Sequence, residues 1–353
     1  MIMVREAATA PPQSHKSFLV LFFKKELLAD CLAVPMEPAM TVSRRNLLQT
    51  TGAASAAALS AAGAPPAEAD TPTLNFVLIG DWGRNGHDHQ RDVAAQLGQT
   101  AAAINSQFTI SMGDNFYENG VDSLDDPQFQ SSFERIYTAP ALQSPWKITI
   151  GNHDYRGNVQ AQLDYAKTSP RWQFPARYYA ETHALPDGGS LDIFYLDTSP
   201  FIKKYAGTRV DISGQDTGAQ LAWLDAALKN STATQKIVIG HHPIYTALAP
   251  EPDYDHDQPD LIARLDPVLR AHGIKLYING HDHNLQVVQL NGLTYVTNGA
   301  GSQTYNATSA VIRGGFVSGN HGFMTIAISS KKLDFALIDM SGQTLYAQSL
   351  TNA

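Results

Sequence analysis

Gly113-Asp114-Asn115-Phe116-Tyr117 decides how the rest of the 353-residue chain is read. It follows the apolar alternation Phe108-Thr109-Ile110-Ser111-Met112, which predicts a strand ending at glycine. Glycine lets the backbone turn sharply there and leaves room at the strand's mouth for a bulky ligand. Asp114 then offers two carboxylate oxygens, enough to bridge two cations. Tyr117 offers a phenol that only a strongly polarising metal would hold as phenolate. On its own the stretch also fits an aspartate capping a turn with a tyrosine packed in the core. Repetition elsewhere decides against that.

Four more times an apolar run ends in glycine and then a ligand-type residue: Gly80-Asp81, Gly151-Asn152, Gly240-His241 and Gly280-His281. The runs, from Leu74, Trp146, Lys236 and Lys275, read as strands. Between the strands, 91–104, 126–137, 158–166, 215–228 and 259–271 read as helices. From Val287 onward the chain reads as mostly strands joined by glycine-rich turns, with no internal linker or repeat. The alternation predicts an α/β domain with parallel or mixed sheet and helices outside. Ligands in such sheets bind at the carboxyl ends of strands, so five polar termini should converge on one edge.

Counting donors gives Asp81, Asp114, Tyr117, Asn152, His241, His281 and His283, enough for two metals if one carboxylate bridges. Two ions about 3.5–4 Å apart clamp the attacking and leaving oxygens of an in-line displacement. Hydrolysis of phosphate monoesters, among the slowest uncatalysed reactions, is a use for such a centre.

Composition bounds the alternatives. The formal charge of −8 leaves no basic stripe for nucleic acid. No apolar run reaches the roughly 18 residues a membrane span needs. Ser43-Arg44-Arg45-Asn46-Leu47-Leu48, the alanine-rich stretch from Thr51 to Gly63 and Ala67-Glu68-Ala69 together read as a twin-arginine export signal over 40–69, cleaved near Ala69. Residues 1–39 then read as an over-called start ahead of Met40, and 70–353 as the mature domain. That domain has 19 basic and 28 acidic residues, a formal charge of −9. Cys31 is the single cysteine and lies in the removed part, so any metal site must use oxygen and imidazole nitrogen. A periplasmic or secreted bacterial protein handed to the twin-arginine machinery is expected.

The five blocks G-D-W-G, G-D-N-F-Y, G-N-H-D-Y, V-I-G-H-H and G-H-D-H-N resemble those of the metallophosphoesterases, and within them the purple acid phosphatases. The small tartrate-resistant kind found in mammals is the nearest match. Pro170-Arg171-Trp172-Gln173-Phe174-Pro175, Gln220-Leu221-Ala222-Trp223-Leu224 and Asn298-Gly299-Ala300-Gly301 extend the likeness over the mature chain. Where other metallophosphoesterases carry a histidine two residues after the first Asp, this chain has Gly83, and Tyr117 replaces the missing ligand. The resemblance implies a four-layer αββα sandwich, two mixed sheets flanked by helices.

It also implies that Asp81, Asp114, Tyr117 and His283 hold Fe(III), while Asp114, Asn152, His241 and His281 hold Fe(II), Zn(II) or Mn(II). A purple colour and hydrolysis of a phosphorylated small molecule by metal-generated hydroxide follow, with a lower pH limit set by histidine protonation. His153 is matched to a position that contacts phosphate or protonates the leaving group, beside Asn152 on the substrate side. Asp154 is expected to orient a neighbouring imidazole. The second substrate-side histidine of the mammalian kind is missing after Pro243; either His256 arrives on a longer loop or His153 serves alone. His242 stands where an aromatic is usual.

Glu251, Asp253, Asp255, Asp257 and Asp260 form either a lid against polyanions or a solvated face. His87 and His89 read as bystanders, and Tyr305, Asn320 and His321 as possible cleft residues. Besides the acid phosphatase, a phosphodiesterase or nucleotide hydrolase on the same scaffold and a metal- or phosphate-binding protein without turnover are the competing readings.

Overall fold

The computed structural model describes residues 71–248, 257–305, 313 and 315–351. The export signal, the start at Met1 and the cleavage site lie outside the described residues, as do Cys31, His256, Glu251, Asp253 and Asp255.

The chain runs β1 (Leu74–Ile79), α1 (Gln90–Ala103), β2 (Thr109–Met112), β3 (Trp146–Thr149), α2 (Val159–Tyr165), β4 (Trp172–Gln173), β5 (Tyr179–Ala184) and β6 (Ser190–Tyr195). It continues with α3 (Thr217–Asn230), β7 (Gln235–Ile239), α4 (Pro259–Arg264), α5 (Asp266–Ala271), β8 (Leu276–Asn279), β9 (Leu285–Leu290) and β10 (Leu293–Asn298). The last strands are β11 (Phe316–Ser318), β12 (Gly322–Ile328), β13 (Lys332–Asp339) and β14 (Thr344–Thr351).

Two seven-stranded sheets result, in the orders β14-β13-β12-β1-β2-β3-β4 and β11-β9-β10-β8-β7-β6-β5. Both are mixed. In the first, β1, β2, β3 and β4 run parallel and β12 lies antiparallel to β1. In the second, β6, β7, β8 and β10 run parallel, with β5 and β9 antiparallel beside them.

Side-chain alternation stacks these sheets face to face. Leu74, Phe76 and Leu78 of β1 join Ile110, Ile193, Ile239 and Ile278 in one core between the sheets. Val77 and Ile79 point the other way and pack with Val93 and Leu97 of α1. Strands covered on both faces read as continuous apolar runs, which is why these segments stood out in the sequence. The second sheet has its own cover: Gln220 of α3 donates to the Asp197 carbonyl (3.0 Å), and Asp266 of α5 accepts from the Tyr295 hydroxyl of β10. This is the expected four-layer arrangement. Among the described residues no helix is long and apolar enough to cross a membrane.

Local chemistry sets the element ends. Asn158 and Asp216 cap α2 and α3, their carboxamide and carboxylate oxygens accepting from Ala161 N (3.1 Å) and Ala219 N (2.9 Å). Three expectations are corrected. The helix expected over 259–271 breaks at Leu265, because Pro267 lacks an N–H and disfavours helical geometry at the residue before it. Within 126–137 the regular part is a π-helical turn over Phe129–Glu134 rather than an α-helix. The irregular-looking stretch from Trp172 to Tyr179 contains β4 and opens β5, an edge strand whose residues are half-buried and exposed by turns.

Candidate metal centre

The five glycine-ended strands are β1, β2 and β3 of the first sheet and β7 and β8 of the second, and their carboxyl ends meet. Gly113 sits at φ +92°, and Asp81, Asp114 and His281 take positive φ of 60°, 48° and 71°. Such backbone is uncommon for side chains with a Cβ and clusters at functional sites. The glycines are also needed for space. A Cβ on Gly151 would lie 2.2 Å from Asp114 Oδ1 and 2.6 Å from His241 Nε2, and one on Gly280 would lie 2.3 Å from Asp81 Oδ2.

Beneath the loops lies an aromatic floor. Trp82 packs against Phe116, Tyr137, Trp146 and Trp172, and its indole donates to Ser111 Oγ (2.8 Å). Trp82 and Phe116 of the first two ligand blocks thus point down into the core, while Asp81, Asp114 and Tyr117 point up into the site.

The seven sequence-derived donors come together, in two sets. Tyr117 Oη lies 3.0 Å from Asp81 Oδ1, 3.1 Å from Asp114 Oδ2 and 2.8 Å from His283 Nε2, and His283 Nε2 is 3.6 Å from Asp81 Oδ1. In the other set, His241 Nε2 lies 3.2 Å from Asn152 Oδ1 and 3.4 Å from Asp114 Oδ2, and His281 Nδ1 is 2.9 Å from Asn152 Oδ1. One atom, Asp114 Oδ2, belongs to both.

These spacings test whether a metal fits. Two donors each about 2.1 Å from one ion, at 90–109°, lie about 3.0–3.4 Å apart. All seven separations fall near that range, and one phenolic proton cannot satisfy two carboxylates and an imidazole at once. The spare atoms are tied back. Asp81 Oδ2 accepts from His281 N (2.9 Å), Asp114 Oδ1 accepts from His153 N (2.7 Å), and His241 Nδ1 donates to the Met112 carbonyl (2.9 Å). Each remaining lone pair is thereby aimed at the site.

Electrostatics agree. Burial, then the charges of Asp114 and Asp81, push the Tyr117 phenol well up, so only a cation would hold it as phenolate. Burial raises Asp81 well above the usual carboxylate range. Burial opposes ionisation of Asp114 too, but the charges of His241 and His153 outweigh it and hold it down. Burial lowers His241, yet Asp114 and Asp81 lift it to about 9, whereas burial depresses His281 and brings His283 to about 4.

His242 has a ring nitrogen close enough to those of His241 and His281 to share an ion, but both its nitrogens are engaged, Nδ1 with Thr198 Oγ1 and Nε2 with the Tyr205 hydroxyl, each at 2.9 Å. Asp154 departs from expectation. It touches no imidazole; its carboxylate accepts from Gly151 N (2.9 Å), Asn115 N (3.1 Å) and Gln162 Nε2 (2.9 Å). It fastens the loop after β2 to the loop after β3, and burial raises it to about 7.

Above the donors opens a cleft of about 550 Å³. His153 lines it, with Nδ1 2.7 Å from the Glu118 carbonyl and 3.0 Å from Arg156 Nη1, and Nε2 3.9 Å from Asp114 Oδ2. Tyr305 also lines it, stacked on His283 at 4.9 Å. Asn320, His321, His87 and His89 do not; His89 meets Asp92 (3.0 Å) and the His321 ring instead. Asp257 is paired with Arg313 (2.5 Å) and Asp260 with Lys203 (3.1 Å), and neither lines the cleft.

Sequence reasoning missed Arg84, Glu118, Arg156, Lys204 and Gln303 in the cleft wall. Arg84 lies 3.8 Å over the Tyr117 ring and 2.6 Å from Glu118. Its position directly after G-D-W-G, and that of Arg156 directly after G-N-H-D-Y, was the available signal.

The calcineurin-like phosphoesterase pattern matches residues 74–285, a span that holds all seven donors. The chain is 37% identical over 300 residues to purple acid phosphatase 7 of Arabidopsis thaliana, covering 79% of this chain and 86% of that protein. It is 33% identical over 304 residues to tartrate-resistant acid phosphatase type 5 of Homo sapiens, covering 79% and 91%. The chain is thus similar to the expected tartrate-resistant kind found in mammals and, at somewhat higher identity, to a plant purple acid phosphatase. Among solved structures, that titled GAP50, the anchor in the inner membrane complex of Plasmodium, superposes with a TM-score of 0.70 at 24% identity, over 80% of this chain and 90% of that one; the likeness is one of fold alone. With the fold, the two donor sets and these relatives in agreement, the chain belongs to the calcineurin-like phosphoesterases and, within them, to the purple acid phosphatase family.

Proposed function

We propose that the chain is an exported acid phosphatase that hydrolyses phosphate monoesters at a dinuclear centre of Fe(III) with Fe(II), Zn(II) or Mn(II). The observation that carries this is the sharing of Asp114 Oδ2 between two donor sets of different chemistry. Asp81, Tyr117 and His283 with Asp114 offer hard, anionic oxygen suited to the trivalent ion. Asn152, His241 and His281 with Asp114 suit the divalent one. When bound, the pair supplies Lewis acidity, polarising the phosphoryl oxygens and lowering the pKa of water for in-line displacement.

The chain's own residues do the rest. Asn152 and His153 face the phosphoryl group from the loop after β3. Nδ1 of His153 is turned toward the Glu118 carbonyl and Arg156, so Nε2, on the Asp114 side, is the atom that faces the reaction. In acid it carries the proton that a departing alkoxide takes up. Burial lowers the pKa of His153, so that proton is available only toward acid pH, in keeping with an acid optimum. His256 is a second substrate-side candidate.

Purified protein should be coloured, contain iron, and hydrolyse nitrophenyl phosphate in the presence of tartrate. Turnover of bis-nitrophenyl phosphate at a higher rate would transfer the assignment to a diesterase, and metal binding without any turnover would leave a binding protein. Colourless, iron-free material fully active with two divalent ions would remove the Tyr117 assignment.

The mature domain of this reading is 70–353, delivered to the periplasm or beyond by the twin-arginine route on the strength of Arg44-Arg45 and the Ala67-Glu68-Ala69 site. Replacing both arginines by lysine should retain the precursor in the cytoplasm; unchanged export in cell fractionation would refute it.

A further inference from the structure

We infer that Arg84 is a positioning residue of the metal centre: laid over the Tyr117 ring, its guanidinium holds the phenol in place as a ligand and tempers how strongly that oxygen donates to a trivalent ion. The inference rests on the assignment of Tyr117 to Fe(III) in the proposed function. It gives the buried arginine of the cleft wall a duty toward the ion rather than the ester.

Local chain chemistry puts Arg84 there. A β-carbon on Gly83 would lie 1.7 Å from the Asn115 carbonyl oxygen, so only glycine lets the loops after β1 and β2 approach this closely. The Gly83 carbonyl accepts from Tyr117 N (2.9 Å), which starts the next side chain, Arg84, beside the Tyr117 ring. Arg84 N–H donates to Gln90 Oε1 (3.0 Å), on a buried residue of α1. The guanidinium is fixed in turn, Nη1 donating to Glu118 Oε1 (2.6 Å) and Nε to Ser302 Oγ (3.2 Å), with its carbon 3.8 Å from the ring centroid. Only 8% of the side chain is exposed. Because Glu118 directly follows Tyr117, the ion pair straps the guanidinium across the phenol.

A guanidinium within about 6 Å of an aromatic centroid is drawn to the ring face, more strongly where water is excluded. When metal binding releases the phenolic proton to solvent, the attraction becomes one between opposite full charges. Asp81 Oδ1 and Asp114 Oδ2, 3.0 and 3.1 Å from the Tyr117 oxygen, oppose a negative charge there, and Arg84 is the cation set against them over the ring. Its charge steadies electrons on the ring. Moving one of them from phenolate to ferric ion, the transition that gives such centres their colour, therefore takes more energy with Arg84 present. Among the described residues Arg84 contacts Tyr117, Glu118, Ser302 and Asp88, and none of Asn152, His241 or His281, so its effect should be confined to one of the two ions.

The test needs no ester. Apo-protein is titrated with ferric nitrilotriacetate, and the ferric-loaded form with Zn(II). Arg84→Met, and Arg84→Gln, which keeps a donor for Glu118, should each move the visible absorption maximum to longer wavelength. Each should weaken Fe(III) binding about tenfold, as the loss of a residue supporting a ligand does, and leave Zn(II) binding unchanged. Should Arg84→Met fail to fold, Arg84→Gln decides alone. A maximum that stays or moves to shorter wavelength overturns the inference, and so does an equal loss of Fe(III) and Zn(II) affinity, the mark of mere packing. The shift to longer wavelength in a protein that hydrolyses no ester supports Arg84 and counts against the phosphatase reading alone. An active wild type with an unmoved band in the variants counts against Arg84 alone. A wild type that takes up no Fe(III) overturns both this inference and the Tyr117 assignment.

Discussion

The two sheets contribute different chemistry to one site. The first delivers every oxygen donor, Asp81, Asp114, Tyr117 and Asn152, from the ends of β1, β2 and β3. The second delivers every nitrogen donor, His241, His281 and His283, from the ends of β7 and β8. Neither sheet holds a complete set for either ion of the proposed centre. The centre therefore exists only because Ile110, Ile239 and Ile278 pack the sheets face to face, and the cross-sheet bonds from His281 N to Asp81 and from His241 to the Met112 carbonyl set the register. Metal affinity and core packing are here one property.

Asp114 is where the two contributions are most entangled, and removing it should do most damage. Asp114→Asn should empty both positions and lower kcat by about 10³-fold or more; metal analysis showing one ion retained at full strength would mean the shared oxygen is not shared. Gly151→Ala pushes a β-carbon from the oxygen side toward the Nε2 of His241 on the nitrogen side. A displacement of that size should cost about 10²-fold in kcat/KM, and near-normal turnover would show that the loops yield where the structure has them fixed.

His153 sharpens the contrast, because it is an imidazole supplied by the oxygen-donating sheet and, in the proposed mechanism, serves the substrate rather than an ion. His153→Asn should slow alkyl phosphates by about 10²-fold and nitrophenyl phosphate much less, since nitrophenolate leaves without a proton. Equal losses on both would point to a merely structural histidine.

The smallest effect concerns the far edge of the sheet interface, where Lys147 of β3 meets Glu181 of β5 (2.6 Å), which also accepts from Tyr195 (2.7 Å). Burial would raise the Glu181 carboxyl, but hydrogen bonds from His183, Lys147 and Tyr195 outweigh it and hold it near 2, below its usual 4.5. A depressed carboxyl stabilises the fold above its unfolded pKa and loses that contribution as it protonates. The stability gap between wild type and Glu181→Gln, followed by urea unfolding, should therefore close as pH falls from about 4.5 to about 2. A gap that stays constant over this window would detach the pair from acid stability.

Much of this was legible in the sequence for a simple reason: the donors sit immediately after buried strands, and both strand and turn leave local marks. Gly113-Asp114 and Gly280-His281 announce strand end, tight turn and ligand within a few residues. Asp154 was misread because its partners, Gly151 N, Asn115 N and Gln162, are defined by the packing of two loops and by no spacing along the chain. Lys204 and Gln303 were missed for the same reason, since each reaches the cleft from a segment carrying no motif. The π-helical turn at Phe129 and the break at Leu265 are matters of backbone hydrogen bonding, on which apolar periodicity is silent apart from the warning at Pro267.

The order of strands in the first sheet has a consequence for how the protein is made. β1, which presents Asp81, lies between β2 and β12, and β12 to β14 are the last elements of the chain. During synthesis the edge of β1 stays open until residues beyond Gly322 leave the ribosome and fold back across more than 240 positions of sequence, a slow, non-local closure. Metal capture thus belongs to the completed polypeptide, and a chain interrupted after His283 would possess all seven donors and still lack the partner strand that holds the first of them in place.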